Sequence, residues 1–111
     1  MRLTALADRY FEIIRDRDID RLVSLYADDA VLTLPNGTKF EGIAAIVAFQ
    51  RDVFERGAPY PTPVSCIAGE SEIAVEVSAR LPDGSVRSTA NFFYTNEDGR
   101  ISRLSIYGQG S

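Results

Sequence analysis

Three clusters of turn-forming residues, Gly69-Glu70-Ser71, Pro82-Asp83-Gly84 and Asn96-Glu97-Asp98-Gly99, cut the second half of this 111-residue chain into four segments. Each cluster supplies residues that accept the dihedrals of a chain reversal, so the segments at about 64–69, 72–81, 85–95 and 100–107 read as antiparallel strands in a meander. The first half carries a different period. Leu3, Leu6, Ala7, Tyr10, Ile13 and Ile14 recur at three- and four-residue steps, which predicts a helix over about 3–16 with Arg9, Glu12 and Arg15 outward. Asp18 is placed to cap a second helix whose buried side is Ile19, Leu22, Val23, Leu25 and Tyr26. After Asp28-Asp29, residues 30–34 read as a strand that stops at Pro35-Asn36-Gly37, and 38–41 returns as a short partner. A third helix is expected over about 42–56. Its stripe is Ile43, Ile46, Val47, Phe49 or Gln50, Val53 and Phe54, and Gly57 is placed to end it in the left-handed conformation. Pro59-Tyr60-Pro61-Thr62-Pro63 cannot be helical and reads as a stiff connector. This order predicts an α+β class, with helices segregated on one face of a sheet.

A chain of 12.2 kDa has room for one core, so residues 1–111 read as a single domain. No apolar run is long enough to span a bilayer, and the first is cut by Asp8 and Arg9 before it can serve as a signal peptide, so a cytoplasmic address and no membrane partner are expected. Two scarcities narrow the chemistry. The chain has no histidine and one cysteine, Cys66, which excludes a disulfide framework, Cys/His zinc sites, Ser-His-Asp triads and Cys-His dyads. Neither a metal nor a cofactor is expected, and acid–base work falls to carboxylates, tyrosines or amides. Within Val64-Ser65-Cys66-Ile67-Ala68 the cysteine reads as a small buried hydrophobe. The net charge is −4, and the twelve basic residues, of which Lys39 is the only lysine, are dispersed. With no basic stripe to neutralise phosphates, nucleic acid is not an expected partner.

If the reversal at Pro82-Asp83-Gly84 centres on Asp83-Gly84, Leu81 pairs with Val86 and Glu76 with Asn91. Ala74, Glu76, Ser78, Thr89, Asn91 and Phe93 then share one face, and Ile73, Val75, Val77, Ala90, Phe92 and Tyr94 the other. Both faces are largely apolar, which predicts helices over one and a second subunit over the other. On this register Glu76 looks inward, where a carboxylate is costly unless hydrogen-bonded or protonated. A bulge or an extra loop residue would shift the register by one and leave Glu76 in solvent. Asn91 would stand opposite Glu76, and Tyr10 would bring a phenol from the first helix. The last strand, with Arg103, Ser105 and Tyr107 alternating with Ser102, Leu104 and Ile106, leaves its inward face open.

The run Arg9-Tyr10-Phe11 to Asp18-Ile19-Asp20, followed by Leu25-Tyr26-Ala27-Asp28-Asp29-Ala30-Val31 and the strand ending at Pro35, resembles the nuclear transport factor 2-like superfamily, in its SnoaL-like and ketosteroid isomerase-like branch. Phe40-Glu41-Gly42 and Asp98-Gly99-Arg100-Ile101 extend the resemblance over nearly the whole chain. It implies a curved antiparallel sheet wrapped around three helices into a cone, a pocket open at one end, and a homodimer packed through the convex face. Tyr10 matches the tyrosine of the isomerase oxyanion hole, and Asn91 falls where those enzymes keep a protonated aspartic acid. Leu34 stands at the position of their base, so ordinary ketosteroid isomerase activity is not expected. Together these readings nominate Tyr10, Glu76 and Asn91 as catalytic residues of a cofactor-independent isomerase, cyclase or lyase acting on an apolar carbonyl or phenolic compound. Phe49, Phe54, Ser78, Thr89, Phe93 and Tyr107 are the nominated ligand-binding residues. The alternative is a module of the same fold that binds a ligand or assembles as a dimer without catalysis.

Overall fold

The computed structural model describes residues 3–57 and 60–108. Helix α1 spans Leu3–Asp16 and buries Leu6, Ala7, Tyr10, Phe11, Ile13 and Ile14, the stripe its spacing predicts. Helix α2, Ile19–Leu25, starts where the Asp18 carboxylate accepts the Arg21 N–H at 3.2 Å. That bond satisfies one of the free amides of the first turn. Helix α3, Ile43–Glu55, ends as Gly57 adopts φ +86°. No helix among the described residues is long and apolar enough to cross a membrane.

The six strands are β1 Tyr26–Thr33, β2 Lys39–Glu41, β3 Tyr60–Ala68, β4 Glu72–Arg80, β5 Val86–Thr95 and β6 Ile101–Gly108. They form one sheet in the order β2-β1-β6-β5-β4-β3. The β1–β6 pair is parallel and the others are antiparallel, so the sheet is mixed. The fold is α+β, with three helices against a curved six-stranded sheet. The core lies between them, where Phe11, Ile13, Leu22, Tyr26, Leu32, Ile46, Ile73, Phe93, Ile101 and Leu104 are fully buried.

Two boundaries differ from expectation. Strand β1 begins at Tyr26, the last residue of the expected second-helix stripe, because Tyr26 pairs with Ile101 and its extended backbone (φ −96°, ψ 146°) ends α2. The proline-rich connector is part of β3 from Tyr60 onward: Pro61 pairs with Ala79 and Pro63 with Val77. An edge strand tolerates residues that cannot donate to a ladder, and β3 is an edge. Pro59 lies outside the described residues.

The largest difference is one residue of register. The β4–β5 turn holds Pro82, Asp83 and Gly84 between Leu81 and Ser85, with Leu81 N–H donating to Ser85 O at 2.8 Å and Gly84 N–H to Leu81 O at 2.9 Å. Asp83 Oδ1 accepts both the Ser85 N–H and its hydroxyl, and Gly84 takes φ +89°. A three-residue loop closed by a left-handed glycine replaces the expected two-residue turn, so Glu76 pairs with Ala90 and Asn91 with Val75. Since side chains alternate, the slip exchanges the faces of β4. Ile73, Val75, Val77 and Ala79 point into the cone with Thr89, Asn91 and Phe93. Ala74, Glu76 and Ser78 point outward with Ala90, Phe92 and Tyr94. Val75 is therefore in the core at 2% exposure and is not part of an outer interface. On β6 the pairings Asn91–Ile106 and Phe93–Leu104 turn Leu104 and Ile106 inward, and Ala90–Tyr107 turns Tyr107 outward.

Candidate functional site

One end of the cone holds a cavity of about 370 Å³, bounded by α1, α3 and the inner faces of β4, β5 and β6. Its walls are mostly hydrocarbon: Ile14, Leu34, Phe49, Val53, Phe54, Val77, Ala79 and Ile106. A cavity of roughly 150 Å³ holds benzene, so this one accommodates a molecule of about two rings. Four polar side chains interrupt the wall: Tyr10, Gln50, Thr89 and Asn91, with Arg87 at the rim.

Strand β5 sets the depth axis. Arg87 is exposed, Thr89 half-buried, Asn91 6% exposed and Phe93 fully buried, so alternate residues descend from rim to core. The Asn91 amide oxygen accepts the Thr89 hydroxyl at 3.2 Å. That bond directs the amide and leaves its NH₂ without a hydrogen-bond partner among the described residues. Gln50, on the opposite wall at 6% exposure, likewise has no hydrogen-bond partner among them. Both amides border the cavity, and neither is among the fully buried polar atoms left without a partner, so their free groups are open to water or to a ligand entering there.

Tyr10 is 5% exposed, packed edge-on against Phe11 and Phe93 with ring centroids 5.2 and 5.1 Å away. Burial pushes its phenol up to about 12, partly opposed by the neighbouring Tyr26 hydroxyl. Tyr10 is therefore a neutral O–H donor at ordinary pH. Burial, then the charge of an ionised Tyr10, raise Tyr26 well above its ordinary value. The Tyr26 hydroxyl is fully buried and makes no hydrogen bond within 3.5 Å among the described residues.

The structure brings Tyr10, Asn91, Phe49, Phe54 and Thr89 to one cavity and places four other nominated residues elsewhere. Glu76 is exposed on the outward face and accepts the Ser65 hydroxyl across β3–β4. The three-residue turn put it there. Ser78 also faces outward, level with Thr62 and Ser88. Phe93 sits behind the cavity, sealed in the core rather than lining its wall. Tyr107 is 60% exposed and lies edge-on to Phe92 on the outer face. Cys66 is exposed too, at the rim of a smaller cleft between α1 and β3, and not a buried hydrophobe as its neighbours suggest. Sequence reasoning missed Gln50 and Arg87 as cavity groups. A glutamine on the apolar stripe of α3 was the available signal for the first, and Arg87's shared parity with the inward Thr89 and Asn91 for the second.

The sequence profile of the SnoaL-like domain matches residues 7–104. The chain belongs to the SnoaL-like domain family. No curated protein matches this SnoaL-like chain at a significant level. Among solved structures it is similar to a candidate polyketide cyclase from Sinorhizobium meliloti, with 27% identity, TM-score 0.80, and 92% of this chain and 93% of that one covered. A candidate ketosteroid isomerase from Kribbella flavida shares the fold at 24% identity and TM-score 0.86, covering 96% and 77%. An NTF2-like protein of unknown function from Exiguobacterium matches at 27% identity and TM-score 0.76, covering 96% and 99%. At the position where the isomerase resemblance implies a base, this SnoaL-like domain lines its cavity with Leu34. Among the described residues no aspartate, glutamate or histidine borders that cavity.

Proposed function

We propose that the cavity binds a small, mostly apolar molecule through a carbonyl, phenol or phenolate oxygen that accepts hydrogen bonds from Tyr10 and Asn91. The observation carrying this reading is the Asn91 amide, buried, oriented by Thr89 and left with free donors toward an apolar space. A ligand oxygen bound there replaces water at those donors while the rest of the ligand leaves water for the apolar wall. Titrating 2-naphthol by its fluorescence tests it. The parent protein is expected to show saturable binding, Tyr10→Phe and Asn91→Leu to weaken it about 5- to 30-fold, equivalent to about 1–2 kcal/mol, and Glu76→Gln to leave it unchanged. No saturable binding, or equal binding by all four proteins, overturns the reading.

A second reading, an isomerase- or cyclase-type reaction on the bound molecule, is supported by two donors bordering one cavity, the composition of an oxyanion hole. The structural relatives described as a candidate polyketide cyclase and a candidate ketosteroid isomerase lend it weight. With Glu76 outside, the proton acceptor would be the ligand itself or solvent. Exchange of an enolisable ligand's α-protons, faster with protein than without and slowed in Asn91→Leu, is the result this reading requires.

We further propose that a second copy of the chain covers the outward face. Ala74, Ala90, Phe92, Tyr94 and Tyr107 make that face apolar, while Glu76 and Arg103 on the same surface allow a two-fold related copy to match opposite charges. A sizing column is expected to show a dimer for the parent and a monomer for Phe92→Glu. An unchanged dimer in that variant sinks the proposal.

A further inference from the structure

We infer that the ligand is an acid: a two-ring aromatic or alicyclic carboxylate whose charged group meets Arg87 at the rim while an oxygen at its far end reaches Asn91 and Tyr10. The inference rests on the binding role proposed above and adds the class of molecule. Arg87 is the only charged side chain bordering the cavity among the described residues, and none of the ion pairs found among those residues involves it. Its neighbour in the hairpin, Asp83, accepts the Ser85 N–H and hydroxyl on Oδ1 at 2.9 and 2.6 Å; the Arg87 charge is among the smaller influences holding that carboxyl below its usual range, but the two form no ion pair within 4.0 Å. Arg15, another cation near this end, is tied to the Pro61 carbonyl at 3.1 Å and lies over the Tyr60 ring. Arg87 thus has a guanidinium available for a carboxylate, which it matches with two parallel N–H donors.

Spacing supports the same occupant. Arg87 and Asn91 lie on one face of β5, four residues apart, so their Cα atoms are about 13 Å from each other. Between them the wall is apolar apart from Thr89, whose hydroxyl is engaged by Asn91. A molecule that is polar at both ends and hydrocarbon in the middle fits this sequence of surroundings. The volume, about 370 Å³, sets its size near two fused rings. A carboxylate inserted the other way round would leave Arg87 in water and lose its attraction.

The test compares 6-hydroxy-2-naphthoate with 2-naphthol on the parent protein and on Arg87→Gln. The hydroxynaphthoate is expected to bind the parent about 3- to 10-fold tighter than 2-naphthol, with an advantage that shrinks as NaCl rises from 20 to 500 mM. Arg87→Gln, a change at an exposed position, is expected to erase this preference, read as the ratio of the two probes' affinities within the variant. Equal binding of the two probes by the parent, or a preference that survives Arg87→Gln, overturns the acid assignment while the pocket reading stands. Failure of both probes to bind the parent overturns the pocket reading and this one together.

Discussion

Replacing Phe93 by alanine is expected to lower unfolding stability by about 3–5 kcal/mol, read as a shift of the urea midpoint. Its side chain has no solvent exposure and stands edge-on to Tyr10 at 5.1 Å and to Phe11 at 5.9 Å, so one ring joins α1 to the sheet. Across the ladders it lies between Ile73 and Leu104, which are equally buried and cannot collapse far into the space left behind. A domain of this size usually holds about 5–15 kcal/mol in all, so the variant should be marginal at room temperature. A loss under about 1 kcal/mol would mean that this ring does not sit where helix and sheet meet.

Alkaline pH is expected to act on the same region. Tyr10 is pushed up to about 12 by burial, against 10.0 for a solvated phenol, so the folded state favours the neutral form. The unfolded chain therefore loses its proton first. The resulting stabilisation is fully present below about pH 10 and disappears as pH rises toward 12. Two units correspond to about 2–3 kcal/mol from Tyr10, and Tyr26, shifted in the same direction, adds to the decline. Urea midpoints at pH 8, 10 and 11.5 should fall across the last interval. Tyr10→Phe should fall less steeply, and a flat profile for the parent would show that the phenols are not sealed from water.

These two residues also mark what was readable beforehand. Tyr10 was legible because α1 has a strong 3.6-residue period, and a phenol on such a stripe must be buried near something polar. The Asp18 cap, the Gly57 stop and the β4–β5–β6 meander were legible because each depends on residues close together in the chain. Asn91 was nominated and does line the cavity, yet the register that first placed it there was one residue off. Its reading survived because Thr89, Asn91 and Phe93 face inward either way. Glu76 did not survive. Two signals opposed its inward placement: Ile73, Val75 and Val77 form a stricter apolar set than Ala74, Glu76 and Ser78, and Pro-Asp-Gly suits a three-residue loop with glycine last.

From the sequence alone come the α+β order, the limits of α1 and α3 to within a residue, the positions of the turns and the exclusion of histidine- and metal-thiolate chemistry, since composition and short-range periodicity carry all of these. The tertiary structure decided which side of β4 is inside, that β1 runs parallel to β6, and that Gln50 and Arg87 join Tyr10 and Asn91 around one cavity. Those outcomes depend on long-range pairing and on a single turn hydrogen-bonded through Gly84, where one residue of loop length exchanges the faces of β4 relative to β5.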